Sequence, residues 1–261
     1  MKKATITLLL ILIGLSSLSV KAQKEVTVRL NPKAGVTYNT TIKNTMMNLM
    51  EVQGQNMTST QSIENKCSFK TKSIDKNGIT FEGQNDAIKL SISQMGMMLT
   101  YDSEHPEKTS PMLAGQVDEL ADDLKKPYTI MYDVLGHHIE SEEDPETSQI
   151  SSAIIELPEE PLKVGSTWTN TKKQEINGTA INATLNYTVT KISKKSVEVD
   201  VNGTVEGSYD TSGTYEGTAS IDVQTGLIIK STIKQNISMT LSEQGMTIPM
   251  TMNGTTTVTV E

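Results

Sequence analysis

A closely similar eight-residue phrase occurs twice in this sequence, as KAGVTYNT from Lys33 and as KVGSTWTN from Lys163. Each copy places a glycine, a threonine and a large aromatic residue before a segment in which apolar and polar side chains alternate. The positions that match at spacings of 130 or 118 are Gly35 and Gly165, Tyr38 and Trp168, Phe69 and Tyr187, Ile79 and Val197, and Phe81 and Val199. A repeat of this kind indicates two copies of one structural unit, and it constrains the fold without naming a substrate.

Alternation with a period of two runs through both copies and predicts β-strands. Antiparallel strands carry this pattern when one face packs on a core and the other faces water. Asn-Gly pairs, which favour tight hairpin turns, begin at Asn77, Asn177, Asn202 and Asn253. A change of parity after Ile92 predicts a β-bulge near Gln94 or Gly96. We predict an all-β fold with one or two short helices, built as duplicated antiparallel curved sheets or half-barrels.

One stretch within the first copy departs from the strand pattern. Ser110-Pro111 is typical of a helix start. Leu113, Val117, Leu120 and Leu124 then recur at helical spacing, which predicts an amphipathic helix. The predicted division of the chain is a signal peptide at 1–22, a first β repeat at 23–141 with the inserted helix at 111–126, a connector at 142–161, and a second β repeat at 162–261.

The first residues are typical of a secretory signal peptide. Lys2 and Lys3 precede an apolar run over residues 8–15, and Val20-Lys21-Ala22 supplies a small-residue cleavage pattern. We expect export, removal of residues 1–22, and a soluble mature protein in the periplasm or outside the cell. The apolar run is shorter than the ~20 residues that a membrane-spanning helix requires, so we predict no membrane-spanning segment.

The charge balance bears on the choice of partner. The segment 1–22 contains three of the 23 basic residues and no acidic residue, so its removal leaves 20 against 31 and a net charge of −11. An acidic surface repels phosphate backbones. We therefore predict no nucleic-acid partner.

Catalytic chemistry has few candidates in the chain. The histidines are His105, His137 and His138, and no nucleophile-elbow, phosphate-loop or dinucleotide motif accompanies them. Adjacent side chains of a strand point to opposite faces, so His137 and His138 fit exposed turn residues better than a metal site. Cys67, the single cysteine, alternates with Phe69 and suits a buried apolar position. We predict no enzymatic activity and no cofactor.

Methionine is the most unusual component of the composition, with 14 residues against two phenylalanines. One interpretation is that methionine fills an irregular β core. A second is a deformable apolar groove for a lipid or a hydrophobic small molecule, and a third is a copper(I) site, because thioethers bind soft metals. The candidate ligand-binding residues are Met46, Met50, Met95, Met97, Met98, Met250 and Met252.

Several motifs together point to a family. They are the GxT-Tyr/Trp strand starts, Tyr101-Asp102-Ser103 after a Met-rich strand, and Leu157-Pro158 before the second phrase. With these motifs and its signal peptide, the chain resembles a family of exported bacterial proteins known only as a domain of unknown function. The resemblance implies no activity and carries over no catalytic residues. At the level of the fold, the chain also resembles curved half-barrel lipoprotein carriers of the periplasm.

These observations predict an exported, non-enzymatic β-sheet protein that binds a hydrophobic ligand. Two alternatives stay open at this point. One is a structural or protein-interaction module of the cell envelope, and the other is a Met-based copper(I) binder.

Overall fold

Alternating side chains turn most of this chain into strands. The computed structural model describes residues 24–52, 54–113, 126–139, 150–176, 179–243 and 246–261. The strands of these residues are β1 Thr37–Val52, β2 Gln55–Asp75, β3 Gly78–Gln94, β4 Met97–Asp102, β5 Tyr128–Tyr132, β6 His138–Ile139, β7 Thr167–Ile176, β8 Thr179–Ile192, β9 Ser196–Gly207, β10 Ser212–Asp222, β11 Ile228–Glu243 and β12 Met246–Val260. The predicted all-β fold class is confirmed.

The described strands form a single open antiparallel sheet. Its order is β6-β5-β3-β2-β1-β12-β11-β10-β9-β8-β7, and β4 also pairs with β3. The first and last long strands, β1 and β12, therefore lie side by side and join the two halves of the chain. Strands β5 and β4 share one edge of β3, at residues 79–83 and 89–94. The predicted division at 142–161 falls between β6 and β7 and stays a prediction.

The two repeated phrases occupy equivalent positions. Gly35 and Gly165 both have left-handed backbone, with φ of 76° and 88°. The amide of Gly35 donates to the carbonyl of Thr71 over 2.9 Å, and the amide of Gly165 donates to that of Val189 over 2.8 Å. Because this conformation favours glycine, the glycine of each phrase fixes the chain's entry into its first strand.

The equivalence continues into the neighbouring strands. Tyr38 stacks on its cross-strand partner Phe69 with ring centroids 5.5 Å apart, and Trp168 stacks on Tyr187 at 5.0 Å. The register between β2 and β3 then shifts between Thr71 and Ser73, and that between β8 and β9 shifts between Val189 and Lys191. The two shifts lie 118 positions apart, the spacing of the sequence repeat. Both copies therefore share a turn, a ring pair and a bulge.

Two extended segments, residues 24–32 and 150–162, lie against one end of the sheet. The first bridges to the second at Val26 and Leu162, and its amide at Leu30 donates to the carbonyl of Val134. Val28 and Leu30 belong to the two main buried clusters, one in each half. We call these segments the plug and this end of the sheet the plug end. The opposite end holds the last residues of β1, β3, β7, β9 and β11 and the first residues of β2, β4, β8, β10 and β12, and we call it the hairpin end.

The sheet has an inner face, which carries the buried side chains, and a more polar outer face. Gly203, Gly213, Gly217 and Gly254 lie on the inner face by their cross-strand register. A Cβ atom at Gly203 would lie 2.6 Å from the carbonyl oxygen of Thr184. Glycine in a strand marks a bend or a close backbone approach. These glycines allow the sheet to curve toward its inner face.

Several local predictions were wrong. The Asn-Gly pairs at Asn202 and Asn253 lie inside β9 and β12, where cross-strand packing sets the conformation, and the pair at Asn177 lies outside the described residues. No bulge occurs at Gln94. Instead Met95 and Gly96, with φ of 51° and 76°, form the turn between β3 and β4. Such a turn reverses the chain, which explains the change of parity.

The predicted helix at 111–126 lies mostly outside the described residues. Residues 111–113 are helical, and residues 114–125 are not described. The other helical pieces of the described chain are the 3₁₀ turns Pro106–Lys108 and Ile150–Ala153. The predicted signal peptide also falls outside the described residues. Within the described part of the chain, no helix combines the length and hydropathy needed to span a bilayer.

Candidate functional site

The inner face at the hairpin end is closed in the second half of the molecule. Ile181, Val205, Ile237 and Met239 are buried there together with Met250 and Met252 of β12. Val205 and Ile237 lie on opposite sides of Gly213, which pairs with both. The absence of a side chain at Gly213 lets its neighbours approach each other, so this part of the face is packed like a protein interior.

The inner face is more open in the first half. On β1 and β2, Met46, Met50, Met57 and Ile63 are only partly buried, although each points inward. The partly buried apolar side chains on the inner face of β3 and β4 are Ile88, Leu90, Ile92 and Leu99. We call these eight residues the open inner face. Among the described residues, Leu113 packs on its margin against Tyr101.

The seven predicted methionines separate into two groups. Met250 and Met252 are 5 % and 2 % exposed, and the partly buried Met46 and Met50 pack against their cluster. These four form a continuous patch where β1 meets β12. It joins the closed inner face to the open one.

The other three predicted methionines do not join this patch. Met95, Met97 and Met98 are 69 %, 56 % and 67 % exposed at the β3–β4 turn. Met97 points to the inner face, Met98 to the outer face, and Met95 lies in the turn itself. They are therefore separate from the methionines that contact the core.

Asparagine side chains interrupt the apolar surface of the open inner face. Asn65 donates from Nδ2 to Oδ1 of Asn85 over 2.8 Å, and both residues are buried. Asn48 donates to Oγ of Ser59 over 3.4 Å. The Oδ1 atoms of Asn48 and Asn65 are themselves buried and accept no hydrogen bond within the described structure. Buried acceptors of this kind favour a polar partner.

Sequence reasoning did not single out these amides. The signal was available, because Asn44, Asn48 and Asn65 occupy the inward parity of β1 and β2, where they alternate with methionine, isoleucine and other apolar residues as well as with Thr40, Ser59, Gln61 and Thr71. An amide at an inward position is costly unless it is hydrogen-bonded. Such positions therefore suit a face that meets a ligand with both polar and apolar parts.

Cys67 lies beside these amides and is 1 % exposed. Burial, assisted by the negative charge of Asp86, raises the pKa of the thiol to about 12. A thiol with this pKa remains protonated at neutral pH and is a poor nucleophile. The predicted role of Cys67 as a small buried apolar side chain is confirmed.

One histidine lies beside a carboxylate, at the turn after β5. Nδ1 of His137 lies 2.9 Å from Oδ2 of Asp133. Burial opposes ionisation of Asp133, but hydrogen bonds from the His137 side chain and from the amides of His137 and Leu135 outweigh it and lower the pKa of Asp133. In the second copy, Asp222 accepts the corresponding turn amides without a histidine. The aspartate therefore builds a turn in both copies.

Metal-binding geometry of the usual kind is not found in the described part of the chain. No three His, Cys, Asp or Glu side chains come together there. His105 is exposed and faces Glu107 over 3.3 Å. These side chains are typical of a solvated surface.

Comparison with protein families finds one match. Residues 141–228 match a family of unknown function, DUF6263, which covers β7 to β10 and the start of β11. This finding confirms the similarity to a domain of unknown function that the sequence motifs suggested. Comparison with curated proteins finds no match.

A solved structure with a similar fold is described as "Lipid-protein interactions in lipovitellin". Its TM-score is 0.52 at 11 % sequence identity, and the match covers 88 % of this chain. The chain spans only 25 % of the length of that chain. At this identity the similarity shows the fold alone, an extended curved antiparallel sheet.

Proposed function

We propose that this protein binds an apolar, lipid-like ligand on its open inner face and catalyses no reaction. The observation that carries the proposal is the contrast within one face of one sheet. At the hairpin end of the second half, Ile181, Val205 and Ile237 are at most 1 % exposed, although Tyr215 and Leu241 beside them are only partly buried. In the first half, Met57, Ile63 and Leu90 are all partly exposed.

The energetics of burial support a ligand at this place. Fully burying one large apolar side chain contributes about 1.5–3 kcal/mol. The open inner face offers eight such side chains, each already partly buried. A ligand that removed the remaining area from water would gain a fraction of this amount at each position. The total suits a flexible apolar molecule.

The dimensions and chemistry of the face fit an acyl chain. Met57 and Ile63 lie six residues apart on β2, a distance of about 20 Å at the usual rise of a strand. The inward residues between them are Ser59 and Gln61, so the face offers both apolar and polar contacts. The thioethers of Met46, Met50 and Met57 can adapt to different chain shapes. The buried acceptors of Asn48 and Asn65 can receive hydrogen bonds from a hydroxyl or an amide of the ligand.

The structural comparison gives independent support. The protein with the similar sheet is described by its lipid–protein interactions. A curved antiparallel sheet offers a long inner surface, which a solvated flat sheet does not. The fold therefore suits a lipid carrier or store. The proposal that the ligand is apolar rests on the side chains of the inner face.

The chemistry of the described residues supports the proposal of a non-catalytic role. The Asp133–His137 pair is accounted for by a turn that the second copy builds with Asp222 alone. The Cys67 thiol is buried and protonated. Neither group lies beside the other as nucleophile and base. We infer binding, not turnover, as the role of the protein.

We further propose that the protein acts after export, in the periplasm or outside the cell. The support is the sequence of residues 1–22, with its basic start, apolar run and small-residue cleavage pattern. Mass spectrometry of the protein recovered from its native compartment tests this point. A mature chain that begins at Gln23 is expected, and an intact N-terminus in the cytoplasm would contradict it.

One edge of the sheet argues against the alternative of a protein-interaction module. Strand β7 ends the order of the described strands and carries Lys172 and Lys173. Charged lysines on an edge strand oppose the addition of another strand. The β7 edge is therefore a poor site for a partner protein that adds a strand.

The copper(I) alternative would use Met46, Met50, Met250 and Met252. These residues contact one apolar cluster, and thioethers are suitable ligands for copper(I). Titration with copper(I) separates this alternative from the proposal. Stoichiometric binding that is lost in Met250→Leu/Met252→Leu, without any lipid binding by the wild-type chain, would favour the metal.

A pair of neighbouring substitutions tests the proposed ligand site. Ile63 and Leu90 are cross-strand partners on the inner face, and Ser62 and Ser91 are partners one position away on the outer face. The double variant Ile63→Gln/Leu90→Gln makes the open inner face polar, because glutamine amides resist transfer out of water. The double variant Ser62→Gln/Ser91→Gln adds the same side chains to the outer face and serves as the control.

The measurement is binding of a fluorescent fatty acid below its critical micelle concentration, together with native mass spectrometry of copurified lipid. Wild-type protein and the outer control are expected to bind the probe equally. The inner variant is expected to lose at least tenfold in affinity while keeping its thermal unfolding transition. Equal binding by all three proteins, or no binding by the wild-type chain, would overturn the proposal.

A further inference from the structure

The hairpin end of the sheet differs from the rest of this acidic chain in its charge. Residues 90–101 contain no charged side chain, and residues 44–63 contain only Glu51. Residues 235–260 contain only Glu243. These segments form the hairpin-end parts of β4, β3, β2, β1, β12 and β11, which are contiguous in the sheet. The result is a rim of largely uncharged strand segments, in which Glu51, Asp210 and Glu243 lie at or beside the hairpin turns.

The rim also exposes apolar side chains. Met95, Met97 and Met98 are more than half exposed at the β3–β4 turn, and Tyr209 is 59 % exposed at the β9–β10 turn. Tyr209 lies at the end of the uncharged stretch, because its carbonyl accepts the amide of Thr240 in β11. Apolar side chains that cluster at one end of a molecule mark an interaction surface.

The backbone conformation at these turns is unusual for the apolar residues that they expose. Among the described residues, the non-glycine positions with left-handed backbone are Met95, Tyr209 and Asp210, all at the hairpin end. Turns of this kind favour asparagine, aspartate or glycine. Methionine at Met95 costs backbone energy and exposes a side chain that contributes nothing to the core. The turn therefore exposes an apolar side chain to solvent at a cost in backbone free energy.

The rim is continuous with the open inner face. Along β3 the inner residues Leu90 and Ile92 lead toward the turn, and Met97 continues on the same face of β4. An apolar path therefore runs from the proposed ligand site to the exposed methionines.

We propose that the hairpin end docks on the surface of a lipid bilayer and that ligand enters the open inner face from there. This inference rests on the proposed function and adds the surface from which the ligand is taken. A rim with few charges and with exposed methionine and tyrosine fits the boundary between headgroups and acyl chains, where tyrosine is favoured. The net charge of −11 of the chain without residues 1–22 disfavours attraction by anionic lipid, so a zwitterionic bilayer is the expected partner.

The test uses the mature chain and vesicles of pure phosphatidylcholine in a flotation assay. The triple variant Met95→Ser/Met97→Ser/Met98→Ser removes the apolar side chains at one turn. The control, Ile74→Ser/Val134→Ser/Val164→Ser, removes three apolar side chains at the plug end that are 43 %, 53 % and 43 % exposed. Wild-type protein and the control are expected to float with the vesicles, whereas the rim variant is expected to bind at least tenfold more weakly.

The soluble fatty-acid probe separates this inference from the proposed function. The rim variant is expected to bind the monomeric probe with wild-type affinity but to extract it more slowly from vesicles. Ile63→Gln/Leu90→Gln is expected to float like the wild-type chain but to lose probe binding. Probe binding without flotation of the wild-type chain would overturn the docking surface alone.

Other outcomes would also contradict docking on a bilayer. Equal flotation of the rim variant and the wild-type chain would show that the methionines do not contribute. Binding only to vesicles that contain phosphatidylglycerol would indicate an electrostatic surface elsewhere. A concentration-dependent dimer that is lost in the rim variant, with no vesicle binding, would assign the rim to a second copy of the chain.

Discussion

The two copies of the repeat begin with the same turn and ring pair but differ in the side chains of their buried interior. Both begin with a left-handed glycine, a stacked ring pair and a bulge at equivalent positions. Near the plug, both copies have an aromatic residue at the position of Phe69 and Tyr187, but Phe81 of the first copy, which lies against Tyr132, is matched by Val199 in the second. Toward the hairpin end, the second half closes its inner face and the first half does not.

This difference shows which features the fold requires and which it leaves free. The turn, ring pair and bulge fix the entry and register of each copy, so they recur. The inner face at the hairpin end lies beyond the plug, and its side chains can vary without changing the strand order. The open inner face is therefore the part of the first half that is available for a ligand.

The largest expected effect comes from the aromatic interior of the first copy. Phe81 is 0 % exposed, and its equivalent in the second copy is Val199. We expect Phe81→Ala to lower the free energy of unfolding by about 3–5 kcal/mol and Val199→Ala by about 2 kcal/mol, because the larger ring leaves the larger cavity. Urea denaturation measures both, and equal losses would contradict different interiors.

The next effect compares the two turns that touch the plug. A Cβ atom at Gly226 would lie 2.7 Å from the carbonyl carbon of Arg29 and 2.8 Å from the amide nitrogen of Leu30. At Gly136 the nearest atoms are a side-chain methyl of Ile154 and the carbonyl oxygen of Ile155, both at 2.9 Å. Backbone cannot move aside as a side chain can. We expect Gly226→Ala to cost about 3 kcal/mol and Gly136→Ala about 2 kcal/mol in thermal unfolding, and the reverse order would argue against the plug.

A third difference between the copies concerns the pH dependence of stability at alkaline pH. The folded state holds the proton of Cys67 up to a pKa of about 12, whereas a thiol in the unfolded chain loses it near pH 8.5. The protonated Cys67 thiol therefore contributes to the free energy of unfolding below about pH 8.5, and this contribution is lost as the pH rises toward 12. Leu185 occupies the equivalent position in the second copy and does not titrate.

The variant Cys67→Val removes this titration and keeps an apolar side chain. Relative to pH 8, wild-type protein is expected to lose about 2 kcal/mol more than Cys67→Val at pH 10. Tyr187, whose pKa burial also raises to about 12, acts mainly above pH 10 and is present in both proteins. Identical pH profiles from urea denaturation would show that Cys67 ionises freely in the folded chain.

The smallest expected effect on stability is the same in both copies. Gly35 and Gly165 have left-handed backbone, and a Cβ atom at either would meet nothing within 4 Å. We expect Gly35→Ala and Gly165→Ala each to cost about 1 kcal/mol, the backbone term alone. Thermal unfolding of the two variants should therefore agree, and a large difference would mean that the phrases are not structurally equivalent.

Much of the fold could be predicted from the sequence because it depends on local rules. Alternation gave the strands, and the spacing of Gly35 from Gly165 gave the equivalent turns. The Asn-Gly pair at Asn202 misled because the same two residues also fit a strand when a neighbour packs over the glycine. Such packing depends on strands far apart in the chain, which local propensity does not contain.

The candidate site was less predictable for the same reason. Methionine frequency identified Met46, Met50, Met250 and Met252 but could not show that Met250 is buried and Met95 is exposed. Both residues lie in Met-rich segments with similar spacing. Their surroundings depend on the pairing of β1 with β12, which joins the two ends of the chain.

The most direct test of the central claim is nuclear magnetic resonance of methionine methyl groups with a spin-labelled fatty acid below its critical micelle concentration. The account predicts strong broadening of the methyl signals of Met46, Met50 and Met57, with much weaker effects at the buried Met239 and Met252. Signals from Met95 and Met98 should change little until vesicles are added. Equal broadening across all exposed methionines, with none favoured on the inner face, would contradict a ligand site in the first half.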